Sequence, residues 1–377
     1  MPRLPLFALT AASALALLSA PAAAQTANSG DAQFATFAPS ANPNNDKVDY
    51  SIWDEAMKNL VISMGPSLRE TAGLPPPGFG TRRQYGHNSR YRLEGTRLMF
   101  SFLDADIIAS FTEYRKDLEA TADKIDIQKL SRNEQLAYWI NLHNVAMVEQ
   151  IAKEWPVRQP REIMVGGVPL NDAKFITVEG VAMSPRDIRE KIVYKHWKNP
   201  MVIYGFWRGE IGGPSLQREA YNADNVSRVL ERSARDFVNS LRGSQKQDDT
   251  LQVSTFYKEA APFYFRNFDA DVRAHMALYA DQETSEILGS TTKVEAVVEE
   301  PDIADLAGGA REPTYSNVTD GEGNSQSFRI PRSMGILLAQ REEKMQQIIK
   351  EGRTGTVTFS NITLPGDPAD KEKAEVE

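Results

Sequence analysis

The chain contains no cysteine and only four histidines among its 377 residues. Disulfides, thiolate nucleophiles and cysteine-ligated metal sites are therefore excluded. The histidines lie far apart in the sequence, and the HExxH, EF-hand and phosphate-binding loop motifs are missing. We predict no metal and no cofactor, and a fold that depends on its hydrophobic core.

The sequence also lacks an excess of basic residues and long apolar runs. Its formal net charge is −8, which argues against nucleic acid as a partner, because such binding depends on neutralising phosphates with Lys and Arg. After the first 24 residues no run approaches the roughly 20 apolar residues of a membrane span. We expect no transmembrane anchor in the mature chain.

The N-terminus has the order of a secretory signal peptide. Arg3 precedes an apolar run from Leu4 to about Leu18, and small residues ending in Ala22-x-Ala24 follow. The run is too short for a typical membrane span. We predict a signal peptide at 1–24 and a periplasmic or secreted protein.

Composition divides the rest of the chain. We expect a flexible lead-in, a globular domain, an acidic glycine-rich linker, a C-terminal helix and strand that pack back on the domain, and a disordered tail. The predicted bounds are 25–47, 48–298, 299–327, 328–366 and 367–377.

Within the domain, the clearest element is a helix from Ser131 to about Glu154. The letters "SRNE" predict a capping box between Ser131 and Glu134. The helix is apolar nearly all round, which is typical of a central buried helix. "IMVGGVPL" and "FITVEGVAMS" predict β-hairpins. The fold class is α+β, a helix-rich single globular domain with a central buried helix and short β-hairpins.

The central helix also carries polar residues. Two interpretations stay open for Asn141, His143 and Asn144. In the first, the asparagines tie loops to the core through backbone hydrogen bonds, and His143 is a satisfied core histidine. In the second, the three side chains form one wall of a pocket.

Four stretches resemble the domain of unknown function 547 family over roughly 125–275: "LSRNEQLAYWINLHNVAMVEQI", "VEGVAMSPRDIREKIV", "NPMVIYGFWRGEIGGPSLQREAYNADNV" and "VSTFYKEAAPFYF". The resemblance implies an α+β domain, common in exported bacterial proteins, without a settled activity. Many members carry a histidine where this chain has Ile203, and cysteines where it has Arg208 and Gly213. Thiol or metal chemistry that relies on those groups is therefore excluded here.

The loop "FWRGEIGGPSL", at 206–216, keeps the turn glycines and a proline. A buried guanidinium needs a charge partner, so we expect Arg208 to pair with a carboxylate, Glu210 or Glu134, beside Asn141 and Asn144. Ser215 is a further ligand-binding candidate. Paired with His143 or His196 it could act as a nucleophile, although no nucleophile-elbow motif surrounds it.

One more cluster joins His87 to several arginines. It could bind an anion or be a solvated loop paired with acidic residues. The arginines are Arg82, Arg83, Arg90 and Arg92.

Two functions fit these observations. The first is a binding or structural module of the cell envelope that holds a peptide or cell-wall fragment. The alternative is a hydrolase or transferase with a polar cleft of Asn141, His143, Arg208 and Glu210, in which Glu210 is the general base.

Overall fold

The computed structural model describes residues 32–73, 85–312 and 330–352. The predicted signal peptide, the predicted terminal strand "TVTFSNITL" and the predicted tail lie outside the described residues.

Helices and short strands alternate irregularly along the chain. The helices are α1 Ser51–Leu60, α2 Ala105–Thr121, α3 Arg132–Glu154, α4 (Pro185–Asp187, the π-helical Ile188–Val193 and Tyr194–His196), α5 Val226–Val238, α6 Phe256–Tyr264, α7 Phe268–Ala277, α8 Gln282–Gly289 and α9 Arg332–Lys350. The strands are β1 Val61–Ser63, β2 Thr96–Leu98, β3 Met164–Val165, β4 Val168–Pro169, β5 Ile176–Val178, β6 Val181–Met183, β7 Ser244–Gln247, β8 Thr250–Ser254 and β9 Lys293–Val298. The predicted α+β class is confirmed.

The sheets are small, and most of their pairs are antiparallel. Strands β3–β4 and β5–β6 are the two predicted hairpins, paired as Val165 with Val168 and as Val178 with Val181. Strand β1 pairs with β2, although 32 residues separate them in the chain. Strand β8 lies between β7 and β9 and pairs in parallel with β9, so α6, α7 and α8 form the crossover between them.

Helix α3 lies at the centre of the domain, as its sequence predicts. Eighteen of its side chains are buried, and it packs against α2, α4 and α5. A helix surrounded in this way has no solvent face on which polar groups can be hydrated. Its polar side chains must therefore bond to neighbouring segments.

The described part of the expected flexible lead-in, 25–47, is ordered against the domain. Residues Gln33–Phe37 form a 3₁₀ helix, and Phe34 and Phe37 are buried. The backbone carbonyl of Phe37 accepts a 2.9 Å hydrogen bond from the side chain of Gln135 on α3. Two aromatic side chains are enough to anchor this polar segment, because each buries a large apolar area.

The described part of the expected linker, 299–327, is also packed into the domain and does not form a free connection. Five consecutive residues, Ile303 to Ala307, are buried. The backbone of Leu98 donates to Ala304 and accepts from Leu306, both at 2.9 Å. The short apolar stretch "IADLA" inside a polar region explains this packing, and residues 313–329 lie outside the described ones.

Helix α9 packs on the domain through one apolar face. Its buried side chains repeat at helical spacing and include Met334, Leu337 and Met345. Arg341 donates a 2.6 Å hydrogen bond to the carbonyl of Ser63, which fixes the helix beside β1.

Candidate functional site

The two asparagines of α3 tie loops to the core, as the first interpretation predicts. Asn141 donates to the carbonyl of Tyr221 at 2.7 Å and accepts from its N–H at 3.1 Å. Asn144 donates to the carbonyl of Gly205 at 2.9 Å and accepts from the N–H of Trp207 at 3.1 Å. Both amides are buried. Asn144 fixes the start of the 206–216 loop, and Asn141 fixes the segment that follows the loop, at Tyr221.

Glu134 differs from its predicted role. Ser131 accepts from the N–H of Glu134 at 3.2 Å, which is one half of the capping box. The Glu134 carboxylate instead accepts from the N–H groups of Val48 and Ala223, at 3.0 and 2.9 Å. It holds two distant segments together. A complete capping box occurs at Ser184 and Asp187, at the start of α4.

Arg208 lies beside Asn144 in the loop, and its partner is a carboxylate, but the predicted partners Glu210 and Glu134 are wrong. Its Nη2 atom donates to Glu259 Oε1 on α6 at 2.7 Å. The guanidinium also lies 4.6 Å from the centre of the Phe256 ring. Both ionic side chains are mostly buried, with 16% of Arg208 and 14% of Glu259 exposed.

A second arginine holds the same carboxylate from within the core. Arg189 of α4 is fully buried, and it donates to both oxygens of Glu259, at 2.9 and 3.3 Å. Its remaining bonds reach Asn171 at 3.1 Å and His143 at 2.8 Å. Despite burial, the flanking guanidinium groups lower the pKa of Glu259 to about 2. We call Arg189, Arg208, Glu259 and His143 the Glu259 cluster.

His143 is the innermost member of the Glu259 cluster. Arginine can only donate, so Nε2 of His143 accepts from Arg189, and Nδ1–H donates to Asn144 Oδ1 at 3.0 Å. Burial, and then the charge of Arg189, hold the pKa of His143 well below its usual range. The ring is neutral, fully buried and bonded at both nitrogens. It is a satisfied core histidine.

Glu210 points away from the Glu259 cluster. Gly209 has a φ of +85°, so the backbone does not keep the extended form in which side chains two apart share a face. Glu210 bonds to Arg161 at 3.1 Å, and its backbone pairs with Ile303. Burial raises the pKa of Glu210. The structure brings Asn144, His143 and Arg208 together but places Glu210 with a different arginine.

Ser215 has structural partners, whereas Nε2 of His196 is buried without a hydrogen-bond partner among the described residues. Ser215 donates to Asp236 and accepts from Arg242, both at 2.9 Å. His196 ends α4, and burial lowers its pKa. Among the described contacts, Ser215 bonds to neither His143 nor His196.

The arginine cluster around His87 does not gather into one site over its described part. His87 is buried and bonds to the backbone carbonyl of Asp305. Arg90 bonds to Tyr91, while Arg92 bonds to Gln340 on α9. Arg82 and Arg83 lie outside the described residues.

At the positions where many family members carry a histidine and two cysteines, this chain has residues that cannot bind a metal or act as a thiol. Ile203 is fully buried. A side chain at Gly213 would meet no atom closer than 3.8 Å, so that position has room. Over residues 32–73, 85–312 and 330–352, no group of three or more His, Asp or Glu side chains is arranged to hold a metal ion. The same residues include no helix long and apolar enough to cross a membrane.

A family model matches the central segment of the chain. Residues 127–238 match the family described as "Protein of unknown function, DUF547". The match confirms the predicted relationship. It covers α3, α4, α5 and the 206–216 loop, while Glu259 lies beyond it. The searches of curated proteins and of solved structures found no match.

Sequence reasoning missed Glu259 and Arg189. Glu259 is the one acidic residue in the stretch "FYKEAAPFYF", between buried Phe256 and Phe265. A lone carboxylate in such an aromatic stretch needs a cation partner. That signal pointed to Glu259 as a partner for an unpaired arginine.

Proposed function

We propose that the protein is an exported binding module of the cell envelope and that its family-matched domain is a non-catalytic scaffold. The Glu259 cluster carries the non-catalytic part of the proposal. A general base must reach a proton and a nucleophile must reach a substrate. In the cluster each ionisable group already forms a hydrogen bond or ion pair with another member.

The arrangement leaves no proton acceptor free. The only basic nitrogen of His143 accepts from Arg189. The pKa of Glu259, at about 2, makes it a weak base near neutral pH. Arg208 occupies the position of a family cysteine, as the resemblance implies, and offers no nucleophile. These observations support a rigid scaffold over the alternative hydrolase or transferase.

Export is a proposal that the N-terminal sequence supports. Its test is N-terminal sequencing of the mature protein from the periplasmic or secreted fraction. We expect Gln25 as the first residue. Membrane-bound protein that keeps Met1 would refute the signal peptide.

The non-catalytic proposal is tested by incubating the purified mature protein with peptide, ester and cell-wall fragment substrates and following products by mass spectrometry. We expect no turnover above the blank. His143→Ala serves as the matched variant. Turnover that the wild type shows and His143→Ala loses would overturn the proposal.

A further inference from the structure

A cavity of about 280 Å³ lies between α9 and the segments 68–73 and 92–94. Its lining shares no residue with the Glu259 cluster. Two long cationic side chains, Arg92 and Lys344, line it together with Gln340 and Gln347. Its volume is close to the lower end of the range for small-molecule pockets, roughly 300–1,000 Å³.

Lys344 enters this cavity from α9 and is only 6% exposed. Its Nζ donates to the carbonyl of Leu93 at 2.5 Å and lies 3.5 Å from that of Gly65. Both partners are uncharged. Among the described residues no carboxylate forms an ion pair with Lys344, and burial lowers the pKa of its ammonium group to about 8.

Arg92, a second cation of the lining, repeats this pattern. It is 4% exposed and donates to Gln340 Oε1 and to the carbonyls of Ser89 and Gly73, at 3.0, 3.2 and 2.6 Å. A guanidinium has five N–H groups, and these bonds use three. Within the described part of the chain Arg92 has no anionic partner either.

One buried carboxylate, Glu94, is among the lining residues. Glu94 accepts from Ser67, and from the N–H groups of Leu241 and Arg242. The charge of Glu94 also acts on Lys344 and opposes the effect of burial on its pKa. The cavity therefore holds two buried cations and one buried carboxylate, and the second cation stays costly to bury unless another counter-charge enters. An anionic group of a ligand would supply it.

The rim of the cavity carries the opposite charge. Glu70 and Glu343 are exposed lining residues, and neither forms an ion pair within the described residues. Cations inside and carboxylates at the mouth match a ligand with an inner carboxylate and an outer ammonium group. A simple anion such as phosphate would meet repulsion at this rim.

We propose that the cavity binds a short peptide of about dipeptide size with free amino and carboxyl ends. Its carboxylate lies between Lys344 and Arg92, and its ammonium group faces Glu70 and Glu343. The inference deepens the proposed binding function and rests on it. It gives α9 a role beyond closing the fold, because α9 supplies both a cation and a rim carboxylate.

The test is calorimetric titration of the full mature protein with alanyl-alanine, alanyl-alaninamide and N-acetyl-alanyl-alanine. We expect alanyl-alanine to bind, and removal of the carboxylate charge in the amide to weaken binding roughly tenfold or more, since the hydrogen bonds from Lys344 and Arg92 lose their charged acceptor. Lys344→Met should weaken alanyl-alanine to the same degree. Lys350→Met, an exposed lysine at the end of α9, is the matched control and should not change binding.

Glu343→Gln tests the rim without altering the buried floor. It should weaken alanyl-alanine several-fold and leave N-acetyl-alanyl-alanine unchanged. No heat from alanyl-alanine at millimolar concentrations, or equal binding of the amide, would overturn the pocket and leave the non-catalytic scaffold standing. Hydrolysis of alanyl-alanine during the titration would overturn the non-catalytic function and leave the pocket standing.

Discussion

Glu259 accepts a hydrogen bond from Arg208 at 2.7 Å across 51 residues of sequence. Arg189 holds the other side of the same carboxylate. Where the resemblance implies a small thiol, this chain has a long cation, and the cation is neutralised within the core instead of facing a substrate. Several measurable properties depend on this pair.

Glu259→Gln should destabilise the protein by about 3 kcal/mol at neutral pH, because it leaves two guanidinium groups in the core without their counter-charge. The pKa of Glu259 is lowered from 4.5 to about 2. A lowered folded-state pKa gives stability that is present above the unfolded value and is lost as pH falls. The wild type should therefore lose its advantage over the variant between about pH 5 and pH 2.

Urea unfolding over that pH range measures the difference. Glu231→Gln, which removes an exposed i,i+4 partner of Arg235, is the control and should change the free energy of unfolding by under about 0.5 kcal/mol. An unfolding free energy for Glu259→Gln that equals the wild type at pH 7 would contradict the ion-pair role.

Arg189→Ala and Arg208→Ala should differ in cost. Arg189 is fully buried and also bonds to His143 and Asn171, so its loss should cost about 3–5 kcal/mol. Arg208 is 16% exposed, and Arg189 still neutralises Glu259 in its absence. We expect about 1–3 kcal/mol for Arg208→Ala, measured by the same unfolding assay. The reverse order would show that the outer arginine is the main partner.

Gly209→Ala and Gly213→Ala compare two glycines of one loop. At Gly209 φ is +85°, and an added Cβ would lie 2.4 Å from Ile151 Cδ1 and 2.9 Å from Pro160 Cγ. At Gly213 the nearest atom would be 3.8 Å away. We expect a loss of about 2 kcal/mol or more for Gly209→Ala, from strain plus overpacking, and within about 0.5 kcal/mol for Gly213→Ala. Thermal unfolding measures both, and equal effects would contradict the geometry.

The sequence predicted elements whose signals are local. The start of α3 follows from Ser131, and the two hairpins follow from Gly166-Gly167 and Glu179-Gly180. These patterns act within a few residues. The type of each such element could therefore be read without tertiary contacts.

The missed features depend on contacts between distant segments. The pairing of β1 with β2 and of β8 with β9 has no short-range turn signal. The same holds for the site. Arg208 needed a carboxylate, and that followed from burial, but the choice of Glu259 over Glu210 depends on how α6 packs against the loop. Glu210 was the expected partner of Arg208 because the two residues are close in sequence. The left-handed conformation of Gly209 directs the Glu210 side chain away from Arg208.

Asp305→Asn should change how stability depends on pH. Asp305 is fully buried, and burial raises its pKa from 3.8 to about 6. A raised folded-state pKa gives stability that is fully present below the unfolded value and is lost as pH rises through the folded value. About two pKa units correspond to about 3 kcal/mol, so the stability of the wild type relative to Asp305→Asn should fall by about this much between about pH 4 and pH 6. His87, bonded to the Asp305 backbone, has a pKa lowered from 6.5 to about 3 by burial, so it makes stability rise with pH in that window. It does so in the wild type and in Asp305→Asn alike, and the difference between the two proteins isolates Asp305.

The variant should lack that loss. One side-chain oxygen of Asp305 accepts from Trp155 Nε1 at 3.1 Å and from the N–H of Gly309 at 2.9 Å, and the amide oxygen of asparagine can accept both bonds. The measurement is the slope of the unfolding free energy against pH for the wild type and Asp305→Asn. Asp224→Asn, at a side chain that is 80% exposed, controls for the removal of one carboxylate and should follow the wild type. Parallel curves for the wild type and Asp305→Asn from pH 4 to pH 7 would contradict the prediction. They would show that Asp305 stays ionised in the fold and that other groups stabilise its buried charge.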